Sequence, residues 1–214
     1  MNENSSGYVS IIGEALLDPI ISLIEKAQEG RLAGANEVQT SVYENGYSCS
    51  IILLTVVLLE SFITRTKYVM GVSNKDINAL AFFKQTFEGN SLYDILYELF
   101  VIRDIIAHNH VWEGQVLWDE EGLKFNSTPI HHSEGYGDSK FRNSILIDKR
   151  VSKRLSLNLF PTRICWEDAK KVLKSAYKVL SFLEEENFQF CYVSNWTVYY
   201  KGDYRNFLDV VDNL

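Results

Sequence analysis

The residues best suited to chemistry are Arg103, Asp104 and His108, near the end of a predicted helix. An arginine presents a fixed positive charge to a phosphate group, and a histidine can take up or release a proton near neutral pH. Together the two side chains suit the cleavage of a phosphodiester bond. The sequence therefore predicts a catalytic pair, Arg103 and His108, which the surrounding helices must position.

The spacing of Arg103 and His108 determines whether one copy of the chain can form a complete site. A helix turns about 100° per residue, so Arg103 and His108 lie roughly 140° apart and do not share a face. Asp104 and His108 are four residues apart, close enough for the carboxylate to orient the imidazole ring. One copy therefore provides an incomplete site, whereas two copies about a two-fold axis can bring both arginines and both histidines into one cleft.

Hydrophobic residues at three- and four-residue steps predict the helices that hold the pair. Glycines mark the stops of most of them, and the long apolar run of residues 50–59 is too short for a membrane span of about 20 residues. We interpret that run as a buried helix, with a buried strand as the alternative, and expect no membrane segment. The predicted helices span residues 19–29, 48–70, 77–88, 92–113 and 166–186.

The arginine, the acid after it, the short apolar spacer and the histidine resemble the signature of the HEPN superfamily of helical ribonucleases and nucleotide-binding domains. The buried helix that includes residues 58–62 and the closing helix from Trp166 also look like this family. The resemblance covers roughly residues 16–110 and 162–186. It implies a mainly α fold, an up-down bundle of four to five helices, within a single domain of residues 1–214.

The resemblance also implies a function. HEPN nucleases act as homodimers that cut RNA without a metal or other cofactor, through the 2′-hydroxyl of the substrate. Arg103 would bind the phosphate and His108 would transfer the proton, while Asp104 would hold His108 and Asn109 would add a hydrogen bond. Such proteins serve as toxins or antiphage defence effectors, often with an antitoxin or another protein partner. The alternative is a catalytically inactive module that binds a nucleotide, an RNA or a protein.

Residues 115–160 fall outside the resemblance and change in character. Two short apolar runs, residues 115–118 and 123–125, are joined by Asp119-Glu120-Glu121-Gly122 and predict a β-hairpin. We interpret residues 115–160 as a β-containing insertion before the last long helix. Residues 188–214 are predicted to form a C-terminal extension with a strand-like piece and a short helix.

The net charge of the chain limits the ways in which it can bind RNA. The formal net charge of −7 argues against a non-specific coat on nucleic acid, but a local basic patch is compatible with it. One such run holds four cations, which are candidate RNA contacts: Lys149, Arg150, Lys153 and Arg154. The alternative is a solvated strand or turn. Glu60, which interrupts an apolar helix, either pairs with a basic group or lines the cleft.

The cysteines and histidines argue against a disulfide framework and a metal site. The three cysteines, Cys49, Cys165 and Cys191, are far apart and odd in number, which fits a reducing cytoplasm. The N-terminus has no basic region followed by an apolar one, so no secretory signal is predicted. All four histidines lie between residues 108 and 132 without other ligands at metal-binding spacing, so no metal is expected.

Overall fold

The architecture is described from a computed structural model, which places residues 11–30, 38–72, 77–108, 111–119, 122–129 and 139–214. The chain is mainly helical with small antiparallel strand pairs, as the sequence predicts. The elements follow in chain order: α1 (Leu17–Glu29), α2 (Val42–Val69), α3 (Ala79–Thr86), α4 (Leu92–Ala107), β1 (Trp112–Asp119), β2 (Gly122–Pro129), α5 (Ser139–Ser144), β3 (Ile145–Leu146), β4 (Val151–Ser152), α6 (Trp166–Glu186), β5 (Thr197–Tyr200), β6 (Asp203–Asn206) and α7 (Phe207–Asp212).

Helix α2 lies at the centre of the bundle and packs against α1, α3, α4 and α6. Its residues Ile51, Ile52, Leu59 and Phe62 are fully buried, so the apolar run forms a core helix and not a strand. Among the described residues, α2 alone has the length and apolar composition of a membrane span. Half of its most apolar stretch is buried inside the fold, which is also the behaviour of a core helix in a soluble protein.

Two helix boundaries differ from the predictions by more than one helical turn. Helix α2 begins at Val42 and not near residue 48, because the Ser41 side chain accepts a hydrogen bond from the Glu44 amide and caps an earlier start. Helix α4 ends at Ala107 and not at Gly114, which lies in β1. The apolar stripe of α4 stops at Ile106, so no further turn would bury a side chain. Gly71, with φ of +69°, closes α2 as predicted.

The predicted hairpin is present and longer than expected. Strands β1 and β2 pair antiparallel from Trp112↔Pro129 to Asp119↔Gly122. The sequence predicts a long loop over residues 126–144, which are rich in Ser, Gly, Asn and His. The prediction is wrong at the end of this range, where α5 forms and lies against α4. A second small pair, β3 and β4, follows, and the C-terminal piece forms a hairpin of β5 and β6 before α7. The sequence predicts one strand there and misses β6.

Buried carboxylates fix residues 144–165 to the helices. Glu98 of α4, only 3% exposed, accepts hydrogen bonds from the Ser152 hydroxyl at 2.6 Å, the Arg154 amide at 2.8 Å and the Leu155 amide at 2.9 Å. Asp168 of α6, 1% exposed, accepts from the amide of Asn158 at 2.9 Å and from its side chain at 2.8 Å. Because buried polar groups are costly unless bonded, these contacts hold the segment in one position.

Candidate functional site

Arg103 lies in the last two turns of α4, where its side chain is one-quarter exposed. Its Nε lies 2.9 Å from Oδ1 of Asp104, and its Nη1 lies 3.6 Å from Oε2 of Glu60 on α2. The guanidinium also stacks on Phe100, with 5.0 Å between its central carbon and the ring centroid. Glu60 therefore pairs with a basic group. The position of Arg103 is fixed from three sides while part of its charge faces solvent.

Asp104 binds two cations. Its Oδ2 accepts a hydrogen bond from Nζ of Lys140 on α5 at 2.9 Å, while its Oδ1 faces Arg103. The Arg103 N–H does not point at that oxygen, so the contact is an ion pair without a well-directed hydrogen bond. We expected Asp104 to orient His108, but the structure places Asp104 between Arg103 and Lys140. The sequence does not predict the contact with Lys140, because Lys140 lies in a segment whose composition predicts a loop.

His108 follows the last residue of α4 and is exposed. Its amide donates to the Asp104 carbonyl at 2.9 Å, which closes the final helical turn. Among the described residues, its imidazole has no hydrogen bond or ion pair, so the ring is available to a substrate. Asn109, the other residue predicted to support the site, lies outside the described residues.

One chain does not bring Arg103 and His108, the predicted catalytic pair, together. Helix α4 is regular from Leu92 to Ala107, so Arg103 and His108 keep the angular separation of roughly 140° that the sequence implies. Arg103 reaches toward α2, and His108 projects beyond the end of α4.

The four cations of the basic run divide into different roles. Arg150 packs on the rings of Phe125 and Phe160 and donates through Nη2 to the Phe125 carbonyl at 3.0 Å, so it supports the fold. Lys149 is exposed. Lys153 and Arg154 instead line a cleft of about 470 Å³ beside the first turns of α4.

The cleft brings together residues from four separate segments. It is lined by Lys84 of α3, four residues of α4, the end of α5, and the two cations after β4. The sequence pattern does not single out Lys84, Tyr93 and Tyr97, which line this cleft. No local signal marks them, because their proximity to Lys153 depends on how Glu98 holds the segment after β4.

Other chemistries find little support in the described residues. In the part of the chain that the structure covers, no group of three or more His, Cys, Asp or Glu side chains is placed to hold a metal ion, and His131 and His132 lie outside it. Burial raises the pKa of the Cys49 and Cys191 thiols to about 12 and that of Cys165 to about 11. All three free thiols are therefore protonated near neutral pH and are poor nucleophiles.

Comparisons of the chain with protein-family models, with curated proteins and with solved structures found no match. The features that bear on function are therefore the chemistry and placement of Arg103, Asp104 and His108, and the resemblance of their spacing to the HEPN signature.

Proposed function

We propose that the protein is a metal-independent endoribonuclease of the HEPN type that acts as a homodimer in the cytoplasm. One observation carries the proposal: a partly exposed arginine, held by Glu60 and Asp104, precedes by five residues an exposed histidine whose ring has no described partner. Arginine is suited to binding a phosphate, and histidine to proton transfer at neutral pH.

The proposed reaction is an intramolecular transesterification of the RNA phosphodiester. The 2′-hydroxyl of RNA attacks the adjacent phosphorus, and His108 accepts the hydroxyl proton. The bond from phosphorus to the 5′-oxygen breaks, and a protonated His108 of the second copy donates a proton to that oxygen. The products are a 2′,3′-cyclic phosphate and a 5′-hydroxyl. Arg103 stabilises the negative charge on the non-bridging oxygens, and Asp104 positions Arg103 instead of His108.

A second candidate is a catalytically silent module that binds a nucleotide, an RNA or a protein. The observation that favours it is the pairing of Arg103 with both Glu60 and Asp104, since a phosphate must compete with two carboxylates for the guanidinium. This candidate predicts tight binding with no turnover. Under either candidate, a toxin or antiphage role with an antitoxin or other protein partner remains an expectation from the family resemblance.

The test is the cleavage of a mixed RNA pool in EDTA, beside a DNA pool of the same sequences. We expect wild-type protein to cut RNA and leave 2′,3′-cyclic phosphate ends, to leave DNA intact, and to run as a dimer in light scattering. Arg103→Ala is expected to abolish cleavage, whereas Arg205→Ala, at an exposed arginine of β6, retains it. Cleavage of DNA, or cleavage that survives Arg103→Ala, contradicts the proposal. Tight RNA binding without cleavage favours the silent module.

A further inference from the structure

We propose that the cleft beside the first turns of α4 binds a phosphate of the RNA backbone, at a place separate from Arg103 and His108. The cleft has a volume of about 470 Å³, within the range of small-molecule and nucleotide sites. Three cations line it: Lys84, Lys153 and Arg154. The inference rests on the proposed function, because it assigns to that nuclease a second contact with its substrate.

The charges that face the cleft favour an anion. Two acids also line it, Asp94 and Glu98. Asp94 is paired with Arg154, and Glu98 is buried and bound by two amides and a hydroxyl. The Lys84 ammonium lies 5.3 Å from the centre of the Tyr93 ring and forms no ion pair with a described residue. Two exposed lysines, Lys84 and Lys153, therefore face one carboxylate without a cationic partner, Glu98, and the lining keeps a net positive charge of one.

The wall that carries two of these cations is held in position. Glu98 binds the amides of Arg154 and Leu155 directly, and the amide of Lys153 donates to the Ser144 carbonyl at 2.9 Å. The Lys153 ammonium donates to the Asn143 carbonyl at 2.6 Å, which leaves its two other protons for a ligand. A pre-organised set of donors loses less entropy when a phosphate binds.

The aromatic lining favours a nucleic acid over an acidic peptide. The rings of Tyr93 and Tyr97 have centroids 6.0 Å apart, and both residues line the cleft. A base beside the bound phosphate can pack on such rings, and stacking of this kind is typical of proteins that bind single-stranded RNA.

The cleft and His108 lie along the same face of α4. At 100° per residue, Asp94, Tyr97, Asp104 and His108 fall within about 80° of one another. Helix α5 follows this face, since Asn143 and Ser144 line the cleft and Lys140 binds Asp104. From Glu98 to His108 the helix rises about 15 Å, and Val101 and Ile105 between them are buried, so a strand that reaches both the cleft and the histidine passes over α5 and not along α4 itself.

The experiment measures binding of a fluorescein-labelled 2′-O-methyl RNA 12-mer by anisotropy in EDTA. The methyl group blocks the 2′-hydroxyl, so binding is measured whether or not the protein cleaves RNA. Lys84→Ala and Lys153→Ala change exposed side chains and are expected to fold. We expect their combination to weaken binding about tenfold and to lower the slope of log K against log salt by about 0.7. Lys178→Ala, at an exposed lysine of α6, serves as the matched control.

Three results overturn the assignment: no binding by the wild type, equal losses in the double variant and the control, or displacement of the probe by a poly-glutamate peptide as readily as by unlabelled 2′-O-methyl RNA. Displacement by AMP that depends on Lys84 supports the phosphate site and assigns it to free nucleotides as well. The two proposals fail separately. Lysine-dependent binding without RNA cleavage contradicts only the proposed nuclease function. Cleavage with lysine-independent binding contradicts only the proposed phosphate site in the cleft.

Discussion

Two acidic side chains of α4, Glu98 and Asp104, are held in opposite ways. In the first half of the helix, Glu98 is 3% exposed and bound by the Ser152 hydroxyl and two backbone amides. Toward the end, the Asp104 side chain is 15% exposed and lies between Arg103 and Lys140. Six residues of one helix separate a carboxylate that joins the fold together from one that holds an arginine at the surface.

This difference separates Glu98, which stabilises the fold, from Asp104 and Arg103, which lie where a ligand can reach them. The partners of Glu98 are the buried Ser152 hydroxyl and two part-buried backbone amides, so they cannot exchange it for a ligand unless the segment after β4 detaches. The partners of Asp104 are side chains near solvent, whose ion pairs are weak and exchangeable. A phosphate can therefore compete for Arg103 without unfolding the protein. We expect the largest effect on stability at Glu98, and the largest effects on the proposed activity at Arg103 and His108.

The largest change in stability is expected for Glu98→Ala. The substitution leaves the buried Ser152 hydroxyl and two part-buried amides without an acceptor, so the free energy of unfolding should fall by about 3 kcal/mol. Urea denaturation measures this change. Glu185→Ala, at an exposed position near the end of α6, is the control and should stay within about 0.5 kcal/mol of wild type. Equal stability of the two variants would contradict the role of Glu98 as the carboxylate that stabilises the fold.

Arg103→Lys tests the other end of the helix. Lysine keeps the positive charge but lacks the planar fork that holds Glu60, Asp104 and a phosphate together. We expect the rate of RNA cleavage in EDTA to fall about 100-fold, while the free energy of unfolding changes by less than about 1 kcal/mol. A loss of stability as large as that of Glu98→Ala would instead make Arg103 a structural residue.

The thiol of Cys165 provides a smaller and more local test. Burial and the nearby charge of Asp168 raise its pKa to about 11, so in the folded protein it is protonated at pH 8 and should react slowly with iodoacetamide. When the segment before α6 detaches, the pKa returns toward its ordinary value and labelling accelerates. Mass spectrometry should show faster labelling of Cys165 in Glu98→Ala and unchanged labelling in Arg103→Ala. Equal labelling in both variants would show that Glu98 does not hold this segment.

Hydrophobic spacing predicts the helices well. Helix α6 spans Trp166–Glu186 as its apolar stripe indicates, and the glycine that closes α2 is found where expected. The end of α4 is less predictable, because Gly114 is an equally good stop for a helix and is used in a strand. The short α5 carries too few apolar residues to give a helical repeat, so the sequence predicts a loop over residues 139–144.

The candidate site is predictable by residue type but not by partner. The spacing of Arg103, Asp104 and His108 sets their faces on α4, and that part of the geometry follows from the sequence. Glu60 and Lys140 come from distant segments, so the pairing of Asp104 with Lys140 instead of His108 depends on tertiary packing. The buried state of Glu98 is equally invisible in the sequence, because a glutamate on a helix is usually exposed.

The most direct test of the account is the rate of RNA cleavage in EDTA by His108→Ala, measured beside its free energy of unfolding. The account predicts a fall in rate of at least about 100-fold. It also predicts unchanged stability, because the imidazole has no described partner to lose. Cleavage at the wild-type rate by a fully folded His108→Ala protein would contradict the assignment of this end of α4 to catalysis.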